Sequence, residues 1–282
     1  MRISPISSDG KFRAQFAAFH GDRAAASRYE RPTLPIRKTY CILITPRSGS
    51  TWLSRRISRL DVLSCPEEYF IAEEFDSTLE YNPGRDIYEV FDIVAQKNAT
   101  SEGLFGFEMS YFDLEEFERE ARLVDVMLGE HRRNFVAQAI SLHTAVESRV
   151  FHAFGASDAP RPRPAVPYDD DKIMYWVCHI LQQEFGIRQW LRANKIKPVT
   201  LCYEELLENI DGAVGRIARH LGVDLAGARA LSTPQPEKLA AAWADDFERR
   251  FRNRHWDFCR EWEATRGTAP CFFADAEMAQ AG

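Results

Sequence analysis

The sequence predicts an α/β fold with a central, mainly parallel sheet flanked by helices. Short apolar runs such as Tyr40-Cys41-Ile42-Leu43-Ile44 and Val199-Thr200-Leu201-Cys202-Tyr203 have strand length, and segments with apolar residues at helical spacing alternate with them. That alternation calls for a parallel sheet covered on both faces. Size agrees: 282 residues, 45% of them apolar, can bury a sizeable core, and 19 Phe, 9 Tyr and 6 Trp argue against general disorder.

In chain order, residues 1–38 read as a peripheral arm with a short helix over 11–28 that stops near Arg31-Pro32. A strand at 39–44 opens the core. Leu53, Ile57 and Leu60 recur at helical spacing, so 50–60 is expected to be a helix. A loop at 64–70, a turn at Asn82-Pro83-Gly84 and a helix at 86–98 follow. Strands are expected at 104–109 and 124–128, with helices near 113–122 and 134–152. Prolines 160, 162, 164 and 167 mark 155–171 as a loop. In the next helix, at 170–193, Ile173, Trp176, Val177, Ile180, Leu181 and Phe185 form an apolar stripe. A strand at 198–203 and helices at 204–221 and 237–261 complete the core. Residues 39–262 therefore form one domain, with 263–282 as a tail.

Composition narrows the function classes. A net charge of −6 gives no global reason to bind nucleic acid. The six cysteines are widely spaced, without CxxC or Cys/His metal spacing, so free thiols in a reducing cytoplasm and no metal are expected. No run approaches the ~20 apolar residues of a membrane helix. The first thirty residues carry Arg, Ala and Ser but also Asp9, Asp22 and Glu30, and lack a signal-peptide core, which argues against targeting.

Chemistry can collect in three places. The first is Thr45-Pro46-Arg47-Ser48-Gly49-Ser50-Thr51-Trp52, a small-residue turn between strand and helix. Exposed N–H groups at a helix start, the hydroxyls of Ser48, Ser50 and Thr51, and the Arg47 guanidinium suit a phosphate or sulfate. Gly49 permits close backbone approach. The nucleotide P-loop ending GK[ST] is not matched. An ordinary strand–helix turn is the competing reading.

The second place runs from Arg133, at a strand exit, to Ser141 eight residues later. At about 100° per residue that spacing allows both on one helical side, where they could hold a second phosphate. Gln138 shares the helix. A solvated face is the alternative. The third is Glu67-Glu68 after Pro66, where a carboxylate could take a proton from an alcohol or simply be solvated. Position alone does not choose between the two acids.

Together these features resemble the bacterial Stf0-type, trehalose 2-sulfotransferase-like family. The likeness rests on Pro46-Arg47-Ser48-Gly49-Ser50-Thr51, Pro66-Glu67-Glu68-Tyr69-Phe70 and Arg132-Arg133-Asn134-Phe135-Val136-Ala137-Gln138-Ala139-Ile140-Ser141. It continues through Lys195-Ile196-Lys197-Pro198, Tyr203-Glu204-Glu205-Leu206 and Trp243…Phe247…Arg250-Phe251, and so covers roughly 39–256.

The resemblance implies a P-loop-like sulfotransferase fold with 3'-phosphoadenosine-5'-phosphosulfate (PAPS) as donor and 3',5'-ADP as product. It implies that Arg47, Ser48, Gly49, Ser50 and Thr51 hold the 5'-phosphosulfate, that Arg133 and Ser141 bind the 3'-phosphate, and that Glu68 rather than Glu67 is the general base. Arg47 would also stabilise developing charge. Carbohydrate or glycolipid acceptors, a homodimer and no metal are implied in the same way. The sequence departs from the family at Asn134, where Asp is usual, at Glu108, where Lys is expected at a strand end, and at Ser148-Arg149-Val150-Phe151. A small-molecule P-loop kinase and a catalytically inactive nucleotide- or glycan-binding protein are the rival readings.

Overall fold

The computed structural model describes residues 14–15, 18–19, 35–72, 75–84, 86–114, 126–151, 166–226 and 243–266. Most of the expected 11–28 helix, most of the 155–171 loop, Cys271 and the tail beyond 266 lie outside the described residues.

The core is a sheet of β1 (Lys38–Ile44), β2 (Leu104–Ser110), β3 (Val126–His131) and β4 (Val199–Cys202), in the order β2-β1-β3-β4. All three pairings are parallel: Lys38 lies opposite Leu104, Tyr40 opposite Val126, and Leu128 opposite Val199. The helices are α1 (Ser50–Ile57), α2 (Phe75–Tyr81), α3 (Ile87–Asn98), α4 (Phe135–Ser148), α5 (Asp170–Ala193), α6 (Tyr203–Leu221), α7 (Trp243–Arg254) and α8 (Trp256–Arg266).

β1 explains why helices cover both faces. Its side chains alternate across the sheet, as strand geometry requires. Cys41 and Leu43 join Phe105, Phe107 and Met109 of β2 under α3. Tyr40, Ile42 and Ile44 instead pack against Trp52, Leu53 and Ile57 of α1 and Val214 and Ile217 of α6. Burying Leu53 and Ile57 contributes about 1.5–3 kcal/mol each and fixes α1 to the sheet. A third cluster joins α4, α5, α7 and α8 through Phe135, Val177, Ile180, Phe251 and Cys259.

Several boundaries differ from expectation. β3, of whose expected span 124–125 lie outside the described residues, runs past 128 to His131, so Glu130 becomes a strand residue and Arg132-Arg133 sit at the strand exit. Glu108 lies within β2, not at its end, and is buried. Of the helix expected near 113–122 only 113–114 are described, and they belong to a helical turn at 111–114. Of the single helix expected at 237–261, 237–242 lie outside the described residues and the rest falls in two helices, α7 and α8. They meet at His255, whose imidazole bonds Asp170 of α5 at 2.8 Å and packs on Phe251, so the chain turns around a fixed point. Among the described residues the cysteines are free, and no helix is long and apolar enough to cross a membrane.

Gly106 is required by contact. It pairs with Tyr40, and an added Cβ would stand 2.1 Å from the Tyr40 ring carbon Cζ. That ring is held in turn by its hydroxyl, which donates to the Ser64 carbonyl at 2.9 Å. Gly106→Ala should therefore lower stability by about 1–3 kcal/mol, the usual effect of overpacking. Urea unfolding checks this, and an unchanged midpoint would refute the contact.

Candidate active site

In open parallel sheets, ligands bind beyond the carboxyl ends of the strands, where the order reverses. Here the chain leaves central β1 for β2 on one side and β3 on the other, and the β1 and β3 exits lie together. The β1 exit is the Thr45–Trp52 turn. Arg47 has a φ of 66° and Gly49 a φ of 106°, so two left-handed residues bend the backbone into α1. For Arg47 that conformation is uncommon. No side chain caps α1 at Gly49, so no capping side chain takes up its first N–H groups. An added Cβ on Gly49 would stand 2.6 Å from Tyr203 Cδ2 and 3.3 Å from Glu130 Oε1, so packing from below also demands glycine.

The β3 exit meets this turn directly. The Gln138 amide of α4 donates to Thr45 Oγ1 at 2.9 Å and to the Pro46 carbonyl at 2.7 Å. Arg47 Nε donates to Ser141 Oγ at 3.1 Å, and its Nη1 donates to the Phe151 carbonyl. Burial, then the charge of Arg132, lowers the Arg47 pKa. The Arg132 guanidinium lies 4.7 Å from the centroid of the Tyr203 ring. An anion set against Arg47 and Arg132 would relieve their repulsion.

Arg133 and Ser141 are not in contact with each other. Asn134 is the N-cap of α4, accepting from Ala137 N–H at 2.9 Å, so Arg133 precedes the helix and escapes its rotational phase. Arg133 Nη2 pairs with Glu205 at 3.1 Å on an exposed rim, while Ser141 faces Arg47. The segment is also gripped through its backbone. Glu204 accepts from the N–H of Arg133 at 3.0 Å and of Asn134 at 3.3 Å. Burial opposes ionisation of Glu204, but these bonds and the Cys202 thiol outweigh it and lower its pKa.

The Glu67-Glu68 loop hangs between two anchors. Phe70 is fully buried, stacked on Phe91 and edge-on to Phe107. On the other side Ser54 of α1 bonds the Pro66 carbonyl. Glu67 bridges to β2 through its backbone, accepting from Glu108 N–H at 2.9 Å, and both acids are exposed. One helix, α1, thus carries the turn and steadies the acidic loop.

Two acids lie beneath the turn: Glu108, singled out in the sequence only as a departure from the family, and Glu130, which the sequence reading missed. Burial, then the charges of Glu68 and Glu130, raises the Glu108 pKa well above the carboxylate range. Burial alone does the same to Glu130. Neither Glu130 oxygen has a hydrogen-bond partner. Arg132 and Tyr203 were also missed as site residues; only the paired arginines after an apolar run gave a signal. Ser48 Oγ, Gln138 Oε1 and Arg132 Nε are buried without partners, so the site holds unspent polar groups. Among the described residues no cluster of three His, Cys, Asp or Glu suits a metal.

The arrangement sets serine hydroxyls, helix-start N–H groups and arginines around one point, with carboxylates at its margin. The sequence pattern of the Stf0 sulphotransferase family matches residues 115–254. At family level, the chain matches the Stf0 sulphotransferases. Arg133 and Ser141 fall inside the matched stretch; the Arg47 turn and Glu68 precede it. The trehalose 2-sulfotransferases of Mycolicibacterium smegmatis and Mycobacterium tuberculosis are each 30% identical over 127 residues, covering 45% of this chain and 45% of theirs. The matched region thus spans about half the length of those relatives. A sulfotransferase structure from Alicyclobacillus acidocaldarius gives a TM-score of 0.49 at 13% identity, covering 81% of this chain and 95% of that one. The sulfotransferase domain of the Synechococcus PCC 7002 olefin synthase gives 0.43 at 14%, covering 77% and 86%. These two likenesses are too distant to transfer any residue's role.

The buried acids set a pH test. Burial raises the Glu130 pKa in the fold above its unfolded value, so its contribution to stability is full below the ordinary carboxylate range and falls as pH rises. Glu130→Gln should raise the melting temperature at pH 8, with the gain shrinking toward pH 4. A variant no more stable than the parent at pH 8 would count against a neutral, buried Glu130.

Proposed function

We propose that this protein transfers a sulfuryl group from PAPS to a hydroxyl of a carbohydrate or glycolipid acceptor. The observation that carries the reading is the meeting of the two strand exits: the Arg47–Ser141 bond at 3.1 Å and the Gln138 bonds to the turn unite both candidate phosphate sites. The family match supports sulfotransferase chemistry, and the names of the two mycobacterial relatives make trehalose the first acceptor to try.

In this reading the N–H groups of the turn, with Ser48, Ser50 and Thr51, hold the 5'-phosphosulfate, and the unpartnered Ser48 Oγ fits such a guest. Arg133 and Ser141 hold the 3'-phosphate, for which Arg133 must exchange Glu205 for the ligand. PAPS supplies the sulfuryl group and 3',5'-ADP is its remainder. Glu68 accepts the proton of the acceptor hydroxyl as the oxygen attacks sulfur in line. Arg47 and the turn stabilise charge growing on the bridging oxygen, so positioning and preset electrostatics provide most of the acceleration. The domain in this reading is 39–262, with 1–38 a peripheral arm and 263–282 a tail. Homodimeric assembly rests on the family resemblance, and cytoplasmic location on the widely spaced cysteines.

Mass spectrometry of trehalose, other sugars and lipid-linked glycans incubated with PAPS should show a sulfate increment with 3',5'-ADP release. Glu68→Gln should lower that turnover by about a hundredfold or more while 3',5'-ADP still binds. Near-parental turnover would remove Glu68 as the base. Arg133→Ala should weaken 3',5'-ADP by about tenfold and leave 5'-AMP nearly unchanged. Equal losses for both ligands would reject Arg133 as a 3'-phosphate contact.

A further inference from the structure

The segment Arg132-Arg133-Asn134 is held from two sides, and one hold comes from the far end of the described chain. Arg266, the last residue of α8, donates through Nη2 to the Arg132 carbonyl at 2.6 Å and through Nη1 to the Arg133 carbonyl. The same Nη2 pairs with Glu184 of α5 at 2.6 Å. Glu184 is 0% exposed and Arg266 only 9%. The guanidinium also lies 5.4 Å from the centroid of the Phe135 ring, in the first turn of α4. Glu204 takes the N–H groups of Arg133 and Asn134 while Arg266 takes the carbonyls of Arg132 and Arg133.

Holding both peptide carbonyls fixes the direction in which the Arg133 side chain leaves the backbone. Arg133 itself is exposed, and its guanidinium pairs with the rim carboxylate of Glu205. A flexible side chain loses less entropy on binding when its backbone is already immobile. A lysine at 266 could not serve two carbonyls and a carboxylate in one plane, as a guanidinium does.

We propose that Arg266, anchored by Glu184, is a positioning residue for the donor's 3'-phosphate, acting through the Arg132–Arg133 backbone. The inference rests on the PAPS reading above. It lies outside the stretch matched by the family pattern, which ends at 254, and carries the functional unit past residue 262 to the end of α8.

The test is calorimetric binding of 3',5'-ADP and 5'-AMP to the full chain, with thermal unfolding alongside. Parental protein should prefer 3',5'-ADP. Arg266→Met should lose about tenfold in 3',5'-ADP affinity, with 5'-AMP within twofold of the parent, and Arg266→Lys should recover part of the loss. Because Arg266→Met orphans a buried carboxylate, the double variant Arg266→Met/Glu184→Met is made too; it removes both charges and should fold with the same selective loss. A folded variant that keeps the parental preference, or that loses both ligands equally, overturns the role of Arg266 alone. Parental protein with no preference for 3',5'-ADP overturns the PAPS reading itself, and this inference with it.

Discussion

The site depends on the absence of a side chain at residue 49. The chain must reverse from β1 into α1 above the Tyr203 ring and the Glu130 carboxyl, which leave no room for a Cβ. That space is closed from below, where Ser50 also bonds the buried Glu108 carboxyl and the Ser48 hydroxyl is buried without a partner. The bend also commits Arg47 to a left-handed conformation that its bonds to Ser141 and the Phe151 carbonyl hold in place. Gln138 then ties the turn to α4. The two strand exits behave as one structure because each supplies the other's hydrogen bonds.

Charge is arranged in layers around this turn. Arg47, Arg132 and Arg133 form the upper layer, while Glu108 and Glu130 lie buried under the loop. Ionised acids at that depth would repel any anion above them. Burial raises the pKa of both and so disfavours their charged forms, which lessens their opposition to an anion on the turn. The carboxylates at the margin, Glu67 and Glu68, are exposed. Depth in the fold, rather than residue type, divides these four acids into two kinds.

What could be read from the sequence was what depends on neighbours in the chain. β1 was legible because its alternating faces are both apolar, and α1 because Leu53 and Ile57 repeat at helical spacing. The turn between them was legible from its small residues. Spacing misled where a boundary intervened: eight residues from Arg133 to Ser141 suggest one helical side, but the Asn134 cap leaves Arg133 outside the helix. Glu130 could not be read because β3 runs three residues beyond its apolar core, and only the observed register makes it an interior position. Tyr203 and Arg266 were invisible for another reason. Each matters through what it touches across the fold, and no local pattern reports a contact between Arg266 and Arg133.

The parallel sheet has a kinetic cost. Lys38 must find Leu104, Tyr40 must find Val126 and Leu128 must find Val199, so no strand pair among the described residues forms from a local hairpin. Each pairing closes a long loop before any contact rewards it, which places the chain among slow folders. Until β2 and β3 flank it, β1 exposes two unpaired edges and an apolar face on each side, the form in which strands associate with the wrong chain. Refolding yield should therefore be governed by dilution and by protection of the β1 segment, whatever ligand is present in the mixture.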